Sequence, residues 1–241
     1  MKKTWRFYFA ILPVVFCVSP AVAYQEGTVS NGGSISGKIT FSGKAPAPRM
    51  VSIDKDQAVC GKEKASEELM VGKDGGIQNV VVRITGINSG KKWDLTDEIT
   101  IDQKGCRFAP HVSIFKPGAT LVMLNPDGIT HNMHTSSRKN PALNRAQPKY
   151  KETMKIKNAF KIPETIKLHC HIHEKWMVAW IIVADSPYIA VTDGSGSFKI
   201  DNVPPGDYTV DIWQEKFGSK TAKVSVKGGS DVNVSASFEA K

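Results

Sequence analysis

Leu168-His169-Cys170-His171-Ile172-His173-Glu174-Lys175-Trp176-Met177 places a cysteine, a histidine three positions on and a methionine four beyond that in one short segment. His131-Asn132 lies upstream. Two imidazoles, a thiolate and a thioether are the donors of a trigonal His₂Cys copper centre with a long axial methionine. Such a centre needs its donors on rigid neighbouring elements, so the segment also bears on the fold. Thr165 to Cys170 reads as a strand that ends on the thiolate, with His173 and Met177 on the loop that follows. His131, on a neighbouring strand, closes the site from the other side.

Working outward, the chain is strand-rich. Ser34 to Phe41, Thr209 to Trp213 and Ala222 to Val226 alternate apolar and polar residues, the period of a half-buried strand. Glycine and proline punctuate at short intervals, as in Pro117-Gly118, Pro126-Asp127-Gly128 and Pro204-Pro205-Gly206. Apart from a short turn expected around Pro141 to Ala146, no window patterns as an amphipathic helix. Many short strands between turn signals predict an all-β sandwich or barrel architecture. Asp193-Gly194-Ser195-Gly196 reads as a tight hairpin turn in preference to a calcium or phosphate loop, because D-G and S-G are turn dipeptides.

The first residues predict export. Lys2, Lys3 and Arg6 precede an apolar run from Phe7 to Val18 that is too short to span a bilayer, and Ala21-Val22-Ala23 supplies a cleavage site. The alternatives are an uncleaved anchor, or a lipoprotein at Cys17, although Phe16 is bulky for the position before a lipidated cysteine. Signal peptide 1–23 and a periplasmic mature chain are the expectation. Removing 1–23 takes three positive charges and no acid, so the formal +9 becomes +6. That moderately basic surface suits an acidic protein partner or is simply solvated, and nucleic acid is not expected. Without Cys17 the cysteines are Cys60, Cys106 and Cys170, an odd number in an oxidising compartment. Cys170 sits among histidines, so a Cys60–Cys106 disulfide and a free Cys170 thiolate are expected. Cys170 in a disulfide is the alternative, and it would remove the copper reading.

Residues 106 to 185 resemble the cupredoxin family, nearest in pattern to plastocyanin and amicyanin. The resemblance covers about a third of the chain and rests on Phe108-x-Pro110, Pro117-Gly118, Asn125, His131-Asn132 and Cys170-x-x-His173-x-x-x-Met177. It implies a Greek-key cupredoxin sandwich with one type 1 copper held by His131, Cys170, His173 and Met177. It also implies that Asn132 ties the ligand-bearing segments together. Proteins close to this pattern often place the methionine one residue nearer the histidine, so the loop here is longer by Lys175 or Glu174. Met133, which shares a strand face with His131 by alternation, is the alternative axial group. A dinuclear purple-copper site needs two cysteines in the loop, and there is one.

A second resemblance is to carboxypeptidase-regulatory-like, transthyretin-like sandwich domains. It rests on Gly33-Ser34-Ile35-Ser36-Gly37-Lys38-Ile39, Thr192-Asp193-Gly194-Ser195-Gly196-Ser197-Phe198 and Pro204-Pro205-Gly206-Asp207-Tyr208. The expected organisation is an N-terminal β region over 24–97, a copper domain over 98–185 and a C-terminal β region over 186–241. The outer two complete one discontinuous Ig-like or transthyretin-like sandwich.

These residues imply a non-enzymatic electron carrier working with a redox protein such as a c-type cytochrome, dehydrogenase or oxidase. His173 is the expected electron exit, beside Trp176. The loop with Arg138, Lys139, Arg145, Lys149 and Lys151 is either a docking surface for an acidic partner or simply solvated. No Ser-His-Asp set, P-loop or Rossmann glycine pattern is present. A copper oxidase or nitrite reductase would need a second copper site, usually on a second such domain. Zinc in a Cys-His-His set would leave the methionine loop unexplained. The competing classes are a copper storage or delivery protein and a structural β-protein with a vestigial site. His134, His169 and His171 should point away from the centre, as surface histidines or as a second metal-loading patch. His111 is expected to be structural.

Overall fold

Alternation along the strands becomes alternation of burial. In Gly33–Phe41, Gly33, Ile35, Ile39 and Phe41 are buried, while the residues between them are partly exposed. In Ser197–Val203, Phe198, Ile200 and Val203 face inward. The computed structural model describes residues 23–240, so the signal peptide expected over 1–23 lies outside the described residues but for Ala23. The described residues are nearly all β, with one helical turn at Gln57–Cys60. No helix among the described residues is long and apolar enough to cross a membrane.

Two sheets enclose the first core. In the larger, Val112–Phe115, Val178–Val183, Glu164–His169, His131–Ser136 and Asn144–Gln147 lie side by side in that order. In the smaller, Thr153–Ile156, Thr120–Leu124 and Glu98–Asp102 do the same. Ile101, Phe108, Phe115, Leu121, Met123, Ile166, Leu168 and Ile181 fill the space between them. The helical turn expected around Pro141 to Ala146 is instead the strand Asn144–Gln147, antiparallel to His131–His134. Its pairing with a central strand and the burial of Gln147 override a weak local preference.

Two further sheets enclose a second core of Ile35, Ile39, Ile77, Val82, Ile84, Tyr188, Ile200, Val210 and Ile212. One runs Ile189–Val191, Val81–Thr85, Gly206–Gln214, Gly218–Val226. The other pairs Gly33–Phe41 with Ser197–Val203 on one side and with Asp231–Asn233 and Ala236–Phe238 on the other. Strands from both ends of the sequence therefore share each sheet. Gly37 is needed where it stands, because a Cβ there would lie 1.9 Å from the Val234 carbonyl oxygen. The Asp193 turn is a hairpin turn, with the Asp193 carboxylate accepting from the backbone of Ser195 and Ser197.

A small cluster joins the two bodies: Val81, Val112 and Ile182 with Trp180 and Trp213 around them. Beside it His111 contacts Glu215, which also accepts from Trp180 Nε1 at 2.7 Å, giving His111 a structural place. Residues 50–65 leave the second body and lie against the first. Ile53 and Cys60 are part of the first core, and a Cys60–Cys106 disulfide fastens them there with Cα atoms 5.3 Å apart.

Candidate metal centre

His131 opens the strand His131–Ser136, and Cys170 follows directly on Glu164–His169, one strand over. The loop after Cys170 is folded by its own backbone. His173 N donates to Cys170 O, Met177 N to His173 O, and Cys170 N to Met177 O at 3.1 Å, which closes the segment on itself. This turn brings His173 back over Cys170. His131 Nδ1 and His173 Nδ1 are 3.2 Å apart, and Cys170 Sγ lies 3.5 Å from His173 Nδ1. One donor atom from each of His131, Cys170 and His173 falls within 4.8 Å of the others. All three residues, with Met177 and Met133, are fully buried. Asn132 donates its backbone N–H to Cys170 Sγ at 3.3 Å, while its side-chain oxygen accepts from His171 N at 3.3 Å. It thereby links the strand carrying His131 to the loop carrying the cysteine.

The outer nitrogens of the two buried rings are spoken for. His131 Nε2 lies 2.9 Å from Asp127 Oδ2, and His173 Nε2 lies 2.9 Å from Asp56 Oδ2. A carboxylate accepts only, so each ring carries its proton on Nε2 and turns a bare Nδ1 inward. Two lone pairs and a sulfur then face one point in a dry interior, a repulsive arrangement that a cation relieves. Burial pushes His131 below the ordinary histidine range, against the pull of Asp127, which keeps the ring neutral as a ligand must be. Burial pushes the Cys170 thiol up, opposed by backbone N–H groups, so the thiolate calls for a compensating positive charge. Soft sulfur with two imidazoles suits copper, and the donor set fits the group that the sequence implies.

One expectation is corrected. His173 is not an exposed exit, because its ring is fully buried. The segment carrying Asp56 covers the ligand loop, fastened by the disulfide at Cys60 and by an ion pair between Asp54 and Lys175. The way from His173 to water runs through the Asp56 carboxylate, whose side chain is 41% exposed. Trp176 packs on the His173 ring at 5.3 Å between centroids and is itself nearly buried.

On the opposite face of the same strands, His134, His169 and His171 gather into a second cluster, partly exposed. Arg138, Lys139, Arg145, Lys149 and Lys151 are all exposed. Sequence reasoning did not find Asp127 or Asp56. Asp127 carried a signal, four residues before His131 in the Pro126-Asp127-Gly128 turn. Asp56 lies 117 residues from its partner, and the only hint was the neighbouring Cys60.

A family model described as polysaccharide lyase family 4, domain II, matches residues 178–234. No curated protein matches the chain. Among solved structures, a reduced Cu(I) form of an amicyanin mutant is similar at 21% identity and a TM-score of 0.32, covering 38% of this chain and 87% of that one. A purple cupredoxin from Nitrosopumilus maritimus is similar at 16% identity and 0.29, covering 35% and 98%. A copper-containing nitrite reductase from Thermus scotoductus SA-01 is similar at 22% identity and 0.30, covering 36% and 22%.

Proposed function

We propose that this chain is an exported type 1 copper protein that carries single electrons between redox proteins, with His131, Cys170, His173 and Met177 as ligands. The observation that carries the reading is the convergence of a free, fully buried cysteine sulfur and two inward-facing imidazole nitrogens on one point. Copper bound there would supply a one-electron couple. The chain's own residues do the rest. Cys170 and the two rings are fixed by strand ends and a self-closed loop, so little rearrangement accompanies a change of charge. Asp127 and Asp56 hold each imidazole in one tautomer and raise its basicity as a donor. Complete burial excludes water and exogenous ligands, which favours electron transfer over bond-breaking chemistry at the centre. Met177 and Met133 are both buried in the surrounding core, and Met177, whose backbone closes the Cys170 loop, would supply the thioether donor in this reading.

The copper-loaded protein should show an intense visible thiolate-to-copper band and a reversible potential. Cys170→Ser should abolish the band while leaving the unfolding transition in place; a surviving band would refute the ligand assignment. The second reading is copper storage or delivery without redox cycling, which the outer histidine cluster favours. It predicts bound copper with no intense band and no reversible couple.

A further inference from the structure

The strand His131–Ser136 has two faces, and its second face is also lined with imidazole. His134 sits directly opposite His169 in the antiparallel pairing with Glu164–His169. Cross-strand partners on one face stand about 5 Å apart at their Cβ atoms, close enough for their rings to meet. His171, two residues further on, is brought over the same spot because its backbone N–H is held by the Asn132 side chain. The ring centroids of His134 and His169 are 4.7 Å apart, those of His134 and His171 4.1 Å, and those of His169 and His171 4.9 Å.

The nitrogens meet as well as the rings. His134 Nδ1 lies 3.1 Å from His169 Nε2, and the same nitrogen is in close contact with His171 Nε2. A single ring proton can bridge only one such pair at a time, whereas a cation at the shared point engages all three lone pairs. Nitrogens bound at about 2.0–2.1 Å to a tetrahedral metal lie about 3.3 Å from one another, close to the separation seen between His134 and His169. No carboxylate pairs with these rings among the described residues, so the donor set is purely imidazole. His171 is exposed, so an ion held by these rings would be reached from water.

We propose that His134, His169 and His171 form a second, solvent-facing site that takes a divalent copper ion. Imidazole donors suit copper and zinc alike, and for a given nitrogen site divalent copper binds more tightly than zinc. The site is independent of the buried centre in its ligands, though His169 and His171 flank Cys170 in the chain.

The test is a titration of the metal-free mature protein with copper(II) sulfate, followed by paramagnetic resonance, visible absorption and bound-metal analysis. The wild type should bind a second equivalent that adds no visible thiolate band and shows imidazole nitrogen couplings. His134→Gln/His171→Gln should lose that equivalent and keep the response of the buried centre, with its far-ultraviolet circular dichroism unchanged. His171→Gln alone, at an exposed loop position, gives a fold-safe version and should weaken the second equivalent selectively. Excess zinc sulfate should shift the second equivalent to higher copper concentration without abolishing it. Saturation of the wild type at the buried centre alone overturns the proposal, and so does a second equivalent that survives in both variants. Loss of an equivalent in these variants, in a protein that never shows the thiolate band, would uphold this site and refute the electron-carrier reading.

Discussion

The two sandwiches bury different things. The terminal body packs an almost wholly apolar core, with Thr192, Asp211 and Gln214 among its few buried polar residues. The histidine-bearing body buries Gln103, Asn125, His131, Asn132, Thr135, Asn140, Gln147 and His173. Buried polar groups destabilise unless they are paired, so a core tolerates a concentration of them only where a network satisfies them. Here the network surrounds His131. Gln147 faces His131 across the strand pair, Gln103 Nε2 donates to Gln147 Oε1 at 2.6 Å, and Asn125 Nδ2 donates to Gln147 O and Ile129 O. One body is a scaffold held by packing; the other holds a site through directional bonds.

The sharpest way to break that contrast is at the disulfide. Cys60 and Cys106 are separated by 46 residues, and the covalent closure carries the Asp56 segment onto the buried centre. Cys60→Ser/Cys106→Ser should cost about 4 kcal/mol in the chain-entropy estimate for a loop of that length. Denaturant unfolding followed by fluorescence should show the loss. Aromatic and amide signals from the histidine-bearing body should shift to lower denaturant, while hydrogen exchange in the strand Gly206–Gln214 stays close to wild type. Equal loss of protection in both bodies would mean that the joint at Trp180 and Trp213 makes them one cooperative unit.

The next largest effect should come from the polar network. Gln147→Leu removes the partner of Gln103 and the donor to Met123 O and Lys151 O, and should cost about 3 kcal/mol, the penalty of stranding several buried groups. Thr192→Val is the matching change in the terminal body. There one hydroxyl serves Val80 N and Ile77 O, and the cost should be about 1 kcal/mol. Equal costs would end the idea that the two cores are held differently.

Asp56→Asn tests the same network where it meets the site. If the proposed copper site holds, losing the carboxylate weakens His173 as a donor, so copper affinity should fall by about 10–100-fold and the reduction potential should rise. Competition with a copper chelator and voltammetry read the two effects. Unchanged values would make Asp56 merely a surface anchor.

Much of this was legible in the sequence, for reasons that can be located. The strands with clean alternation, such as Gly33–Phe41 and Ser197–Val203, announce themselves because one face is core and the other water. Cys170 and His173 stand out because a cysteine and a histidine three residues apart are a compact donor pair, and His131 because a histidine followed by asparagine lies upstream. The disulfide is legible because two cysteines remain once Cys17 and Cys170 are set aside. What the sequence hid depends on long-range assembly. The burial of His173 is set by a segment more than a hundred residues away, and no local pattern records that Asp56 would be folded onto it. Asn144–Gln147 was obscure because an edge strand borrows its conformation from its neighbour. The clustering of His134 with His169 was one of two readings open in the sequence, and the strand register decides it, since alternation shows only that each points away from the centre.

The smallest effect belongs to Glu164, at the edge of the histidine-bearing body. Its carboxylate accepts from the backbone of Arg138, Lys139 and Asn140 and from the side chains of Ser137 and Asn140. Partial burial opposes ionisation, but these donors outweigh it and hold the group at about 2, well below the ordinary glutamate value of 4.5. Because the folded state binds the proton less readily, the charge stabilises the fold above the unfolded value and that stability is lost as pH falls through about 2. Glu164→Gln should therefore cost about 1–2 kcal/mol at neutral pH, the full shift being discounted for solvent screening at a half-open site. Wild type and variant should converge as the pH is lowered below the glutamate range. A gap that persists at pH 2 would mean that Glu164 works through packing, and the contrast between a bonded body and a packed one would lose its outermost example.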